Sequence, residues 1–267
     1  MNEYSFIIDG WTWSFSRVNY ECLYELKLNY IDGESKSSSA YSQFGAFCHK
    51  ILEMYAKGEM EYYELSSYYE DHFDEEVTLD FPPNKYTNLR EKAFYSGLEY
   101  FENIDLNLND YEVLGVEKEV RFEIGGYNFI GYIDLLLRNP DTGEITILDH
   151  KSSSIKILKN GNVSKSDQWH FEQFKKQLLL YSIPVLEEYG RVDYLKWNMF
   201  KDHKTIQIPF SQLELANAKE WAIKKIKEVE NETEWSKHPS YFYCNNLCSM
   251  REHCDKGVTD EYKEFNS

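Results

Sequence analysis

Two apolar stretches, Gly131-Tyr132-Ile133-Asp134-Leu135-Leu136-Leu137 and Ile145-Thr146-Ile147-Leu148-Asp149-His150-Lys151, constrain this chain more than any other feature. Both read as strands too apolar to lie against water, yet each carries a carboxylate. A carboxylate in such surroundings is costly unless something pairs with it, and a divalent cation is a frequent partner. Residues 111–124, rich in β-branched and aromatic side chains, run into Gly125-Gly126, a two-residue hairpin turn that leads into the strand at 127–137. The turn residues Asn139-Pro140-Asp141-Thr142-Gly143 then fold a third strand, 144–151, beside the second. The two carboxylates are thereby expected on neighbouring antiparallel strands.

The flanks are helical. Apolar residues recur with helical period through 16–30, 41–57, 62–77 and 88–103, and again through 168–189. Strands at 192–200 and 204–209 and a helix at 211–230 follow. No repeat, low-complexity tract or long linker divides the 267 residues, and Gly33-Glu34-Ser35-Lys36-Ser37-Ser38-Ser39 reads as a loop. The expectation is a single α/β domain over 1–267, with a helical N-terminal part (14–107), a core carrying the chemistry (111–210), and a C-terminal helix with a cysteine-bearing tail (211–254).

Charge and composition bound the function. With 29 Lys and Arg against 46 Asp and Glu, the net charge is −17, a poor fit to a protein that holds nucleic acid by bulk charge. Lys151, Lys156, Lys159 and Lys165 nevertheless form a basic stretch after the third strand, and residues 59–76 concentrate acids that belong on a face away from any nucleic-acid channel. No run approaches the roughly 18 apolar residues of a membrane span, and Met1-Asn2-Glu3-Tyr4 does not resemble the start of a signal peptide. A cytoplasmic protein without membrane contact is expected, whose five cysteines are better read as possible metal ligands than as disulfides.

Side chains alternate along a strand, so Asp149 and Lys151 emerge on one face and His150 on the other. Asp134 and Asp149 can then converge on one ion, Mg2+ or Mn2+. Lys151 stands two residues away, able to orient or deprotonate a water or to stabilise negative charge on phosphate. Two carboxylates and a lysine around such a cation suit phosphodiester cleavage. The same spacing also fits a buried Asp–Lys ion pair with Asp134 capping a turn. Glu117 and Glu119 lie on the preceding strand, and Glu117 is the better candidate for an additional acid near the site.

Gly131 to Asp134 followed by Asp149-His150-Lys151 resembles the G-x-x-D … D-x-K core of the PD-(D/E)XK nuclease superfamily. Gly45-Ala46-Phe47-Cys48-His49 is similar to the G-x-x-x-H motif of its RecB-type branch, which includes AddB-type nuclease domains and CRISPR-associated adaptation exonucleases. Gln177-Leu178-Leu179-Leu180-Tyr181 is similar to that branch's Q-x-x-x-Y motif. Both motifs place their ends at i and i+4, on one helical face. The resemblance spans about 14–254 and implies a restriction-endonuclease-like core, a mixed central sheet flanked by helices. It also implies a metal held by His49, Asp134, Asp149 and the backbone carbonyl of His150, with Lys151, Asp134, Asp149, Gln177 and Tyr181 as the catalytic set.

Cys22 upstream and Cys244, Cys248 and Cys254 in the tail resemble the distribution by which members of that branch hold a 4Fe-4S cluster, stapling the two ends of the domain. The tail spacing here, C-x3-C-x5-C, departs from the branch's commoner C-x2-C-x5-C, and Leu23 stands where a proline often follows the first cysteine. Four thiolates also suit structural Zn2+. Cys48, on an apolar helix, reads as a small buried hydrophobe. The implied activity is a metal-dependent deoxyribonuclease, an exonuclease on single-stranded DNA or DNA ends, serving repair or recombination beside a helicase or similar partner. Tyr132, Trp169 and Phe174 are candidates to stack bases. The alternatives are a noncatalytic nuclease-fold scaffold or DNA-end clamp, and a zinc-stapled protein-binding domain.

Overall fold

The computed structural model describes residues 3–159, 162–238 and 240–254. Nine α-helices and five strands are formed among them: α1 (Ser5–Asp9), α2 (Phe15–Val18), α3 (Leu23–Tyr30), α4 (Ala40–Ala56), α5 (Leu65–Glu76), α6 (Leu89–Glu102), β1 (Glu112–Ile124), β2 (Tyr127–Arg138), β3 (Ile145–Lys151), α7 (Gln168–Tyr189), β4 (Tyr194–Met199), β5 (Lys204–Pro209), α8 (Gln212–Glu230) and α9 (Tyr241–Asn246). The five strands form one sheet in the order β1-β2-β3-β4-β5. Only β3 and β4 are parallel, and α7 makes the crossover that a parallel pair requires. This is the mixed sheet flanked by helices of a restriction-endonuclease-like α/β fold, as expected.

The hairpin turns where Gly125-Gly126 demands. Both glycines have positive φ (58° and 89°), and Ile124 pairs directly with Tyr127 across the two-residue loop. β3 lies in the middle of the sheet and is buried on both faces except at Lys151, which is why its sequence runs apolar without alternation.

Two hydrophobic cores sandwich the sheet. On one side α7 and α8 pack Leu178, Leu179, Ala222 and Ile226 against Ile147, Leu195 and Trp197. On the other, α4, α5 and α6 pack Phe47, Ile51, Tyr69 and Phe101 against Leu135, Leu137 and Leu148. Helix α4 starts at Ser39, whose hydroxyl accepts from Ser42 N in a capping box, and α8 starts at Ser211.

The helical period at 16–30 does not make one helix. Asn19 leaves helical geometry and Cys22 is extended (φ −142°, ψ 124°), so α2 and α3 are separate. The break sets Cys22 at the N-terminal end of α3, where the tail crosses. Ser249 N and Oγ both donate to Glu25 of α3, Ser37 N donates to Ser249 O, and Arg251 reaches Ser38 O. The acids of 59–76 behave as expected of a solvated face: Glu70, Asp71, Asp74 and Glu75 are exposed on α5. No described helix is long and apolar enough to cross a membrane.

Candidate active site and metal centre

The site forms where β2 and β3 part. Their ladder runs from Arg138↔Ile145 to Leu135↔Leu148 and stops. At the next position Asp134 Oδ2 accepts a hydrogen bond from His150 N at 2.7 Å, taking over a backbone donor that the ladder no longer serves. One carboxylate is thereby fixed to the backbone of the strand that carries the other.

Helix α4 delivers His49, whose Nδ1 lies 3.6 Å from Asp134 Oδ2. Gly45, one turn earlier, faces the end of β3, where a Cβ would stand 3.2 Å from Ser152 Oγ; the glycine permits this approach. β1 delivers Glu117. Its φ of 46° is a left-handed conformation that costs a residue with a Cβ on the order of 1 kcal/mol. His49, Glu117 and Asp134 each offer one ligand atom, all within 4.8 Å of one another. Among the described residues they are the cluster that could hold a metal ion. Glu119 does not join them, although simple alternation puts it on Glu117's face. It accepts from Tyr132 Oη at 3.0 Å and from Arg121 Nε at 2.9 Å.

On the α7 side, Lys151 Nζ donates to Asp149 Oδ1 (3.0 Å) and to Gln177 Oε1 (2.9 Å), and lies 5.0 Å from the centre of the Phe174 ring. Phe174, a candidate base stacker in the sequence, is thus engaged by the lysine instead. Tyr181 packs on Gly131, where a Cβ would fall 2.4 Å from the Tyr181 ring, so only glycine allows α7 this close to β2. Gln177 touches both Lys151 and Tyr181 and ties the three together. His150 turns to the opposite side as alternation requires. It is buried, its Nδ1 lies 2.9 Å from Asn198 Nδ2, and Asn198 donates in turn to Tyr100 Oη at 2.6 Å.

The electrostatics are those of a site short of positive charge. Burial, followed by the facing charge of Asp149, pushes Asp134 well above the usual carboxylate range. Glu117 is raised by burial and by Glu53. His49, with 32% of its side chain exposed, is lowered by burial, opposed by Asp149 and reinforced by Lys151, so it presents a neutral imidazole fit for ligation. Burial lifts the Tyr181 phenol up to about 12, against hydrogen bonds that its oxygen accepts from Gln177 and the Tyr132 backbone. Asp149 Oδ2 is buried and sits 2.7 Å from Lys151 Nζ without hydrogen-bond geometry to any partner. A buried carboxylate (Asp149), a half-buried one (Asp134) raised by it, an acid at their margin and a neutral imidazole are a donor set that a hard divalent cation satisfies. Asp149, read in the sequence as a ligand alongside Asp134, is turned to Lys151, and Glu117 stands with His49 and Asp134.

Cys48 stands apart from the other four cysteines, and among the described residues those four do not converge within ligand range of one another. Cys48 is fully buried in the α4–α6 core, where burial raises its thiol well above the ordinary range. Cys22 Sγ accepts from His238 N at 3.4 Å, and Cys244 Sγ accepts from Ser240 N at the same distance, two residues further on. Cys248 is buried against Leu28 and Met250, its thiol raised to about 12 by burial and by Glu25. Cys254 lies where the described chain ends, following Met250 by one helical turn's bond, Cys254 N to Met250 O.

The sequence profile of the PD-(D/E)XK nuclease superfamily matches residues 12–255. No curated protein matches the chain by sequence. Among solved structures, a candidate exonuclease from Eubacterium rectale superposes with a TM-score of 0.50 at 12% identity, over 91% of this chain and 88% of its own. The structure of SSO0001 is 16% identical over 87% of this chain and 94% of that one, with a TM-score of 0.33.

Proposed function

Because the chain belongs to the PD-(D/E)XK nuclease superfamily, a family of metal-dependent nucleases, we propose that this site hydrolyses phosphodiester bonds of DNA with Mg2+ or Mn2+. The observation that carries the reading is the junction of three elements on one spot: His49 of α4, Asp134 at the fork of β2 and β3, and the Asp149–Lys151–Gln177 chain. His49, Asp134, Asp149 and the His150 carbonyl would hold the cation, with Glu117 at its margin. Bound there, the cation supplies neutralisation of the nonbridging phosphate oxygens. Lys151 orients the attacking water and takes part in its deprotonation, Gln177 holds the ammonium in place, and Tyr181 buttresses Gln177 from Gly131. Attack in line leaves the leaving oxygen on the 3′ side and a 5′-phosphate on the product.

The substrate is single-stranded DNA or DNA ends, and the chain works in the cytoplasm beside a helicase or other repair or recombination protein. No P-loop signature of the form G-x-x-x-x-G-K-S/T occurs in the sequence, so unwinding comes from elsewhere. End-labelled single-stranded, double-stranded and circular DNA, digested with Mg2+ or Mn2+ and with chelator, tests the reading. Metal-dependent loss of the linear single strand is expected. Undigested DNA in every arm would leave the noncatalytic scaffold or end-clamp reading in its place.

We further propose that the chain belongs to the RecB-type branch and that Cys22, Cys244, Cys248 and Cys254 hold a 4Fe-4S cluster. Supporting this, the tail is stitched along α3, and Cys22 and Cys244 both turn toward backbone N–H groups at 238 and 240. Backbone donors of this kind stabilise thiolate sulfur. Anaerobically purified protein is expected to be brown, with iron and acid-labile sulfide in equal amounts, and to bleach on reduction. A colourless preparation with stoichiometric zinc would instead support the structural-Zn2+ alternative.

A further inference from the structure

We infer that the solvent face of the β1–β2 hairpin, through Tyr132 and Arg121, is a nucleotide subsite that receives the base and phosphate next to the scissile bond of a single strand. The inference rests on the nuclease reading and adds to it where the neighbouring nucleotide sits.

Tyr132 is a large aromatic side chain that the fold leaves half open, at 50% exposure, while Gly131 and Ile133 on either side of it are buried toward α7. Alternation along β2 puts Tyr132 on the same side of the strand as Asp134. Two residues of strand advance about 6–7 Å, close to the distance between successive nucleotides of an extended single strand. A strand whose phosphate rests at Asp134 therefore places its adjacent base over the Tyr132 ring.

The ring does not swing freely. Tyr132 Oη donates to Glu119 Oε2, and Glu119 Oε1 accepts from Arg121 Nε, so the phenol is held at its far end and its face is left to solvent. Glu119's charge is matched by Arg121, which removes the repulsion that a lone carboxylate would present to a phosphate. Arg121 itself is 65% exposed, with a guanidinium forked to bond more than one acceptor. A half-exposed ring held at its hydroxyl with a cation beyond it is the pairing that single-strand binders use, stacking for the base and charge for the backbone. A paired duplex does not offer a free base face to such a ring, so the subsite favours single strands.

Three measurements on the whole 267-residue chain, with the Tyr132→Ala, Tyr132→Trp and Arg121→Ala variants, test this. Bis(p-nitrophenyl) phosphate has no base and reads the metal centre alone, a short single-stranded oligonucleotide reads both, and binding of that oligonucleotide with Ca2+ in place of Mg2+ reads affinity without cleavage. Tyr132→Ala is expected to weaken oligonucleotide binding about tenfold and to raise KM in proportion, with bis(p-nitrophenyl) phosphate hydrolysis unchanged. Tyr132→Trp restores binding, and Arg121→Ala lowers its salt dependence. Equal oligonucleotide binding by parent and Tyr132→Ala overturns the subsite whatever the catalytic result. So does a loss of both activities in parallel, which marks Tyr132 as structural. Failure of the parent to hydrolyse either substrate, with binding still dependent on Tyr132, overturns the nuclease reading and leaves the subsite standing.

Discussion

Replacing Lys151 with alanine is expected to lower phosphodiester cleavage by about 10²- to 10⁴-fold while the circular dichroism of the protein stays that of the parent. Among the described residues the ammonium is the cation bonded to the inner carboxylate, Asp149, and Gln177 fixes it from α7. Removing it also leaves Asp149 buried and facing Asp134 without its counter-ion, which costs stability, since breaking a buried ion pair strands the remaining charge. The metal-free variant should therefore melt below the parent. Saturating Mn2+ should raise its melting temperature by more than it raises the parent's, because a divalent cation then has two carboxylates to itself. Lys151→Gln, which keeps an amide against Asp149, should recover part of the lost stability and none of the rate. Cleavage at the parental rate by Lys151→Ala with metal present would remove the lysine from the mechanism.

Much of this site was legible in the chain because its parts are local. The pair Gly125-Gly126 specifies a turn by itself, a strand without alternation announces a central position, and i, i+4 pairs such as Gly45–His49 and Gln177–Tyr181 announce one helical face. The spacing left Asp134, Asp149 and Lys151 open between a metal site and an ion pair. The contacts are those of the ion pair, with Lys151 on Asp149 and Asp134 accepting from His150 N, and Asp134 also stands with His49 and Glu117 in a cluster that could hold a metal ion.

What escaped depends on contacts between distant segments or on a single torsion. The left-handed φ of Glu117 separates it from Glu119, and no residue-type rule foretells a positive φ at glutamate. The buried chain from His150 through Asn198 to Tyr100 joins β3, β4 and α6, three segments with no shared periodicity. Phe174 looked like a base stacker until α7 docked and set it against Lys151. The break between α2 and α3 was hidden because apolar period continues across it, whereas Cys22 is extended where the tail crosses. The total of −17 has a similar resolution: the acids on α5 face solvent, while Asp149 is buried against Lys151 and Asp134 is half-buried against His150 N and His49.

That carboxylate pair makes stability and function pull in opposite directions, and Asp134→Asn separates them. Asp134 has a raised pKa in the folded, metal-free protein, by burial first and by Asp149 second, against an unfolded value near ~3.9. Between those two values the folded state keeps a proton that the unfolded chain has lost. The folded state thus binds more protons, and stability falls as pH rises through the window. His49 and His150 are lowered and act in the opposite sense, losing stability as pH falls below about 6.5; His150 is common to parent and variant, whereas His49 lies 3.6 Å from Asp134 and loses that facing carboxylate in the variant, so the comparison is read above about pH 6.5, where both imidazoles are neutral. In EDTA, Asp134→Asn should exceed the parent in that range, and increasingly toward pH 8. The asparagine amide oxygen still accepts from His150 N, so the fork of β2 and β3 survives. With Mn2+ the order reverses: the parent gains stability by ligand linkage, the variant does not, and its cleavage is lost. Melting curves of the two proteins from pH 4 to 8, with and without metal, check all of this at once. A parent more stable than Asp134→Asn at pH 8 in EDTA would show that Asp134 is satisfied by the protein's own groups and does not call for a cation.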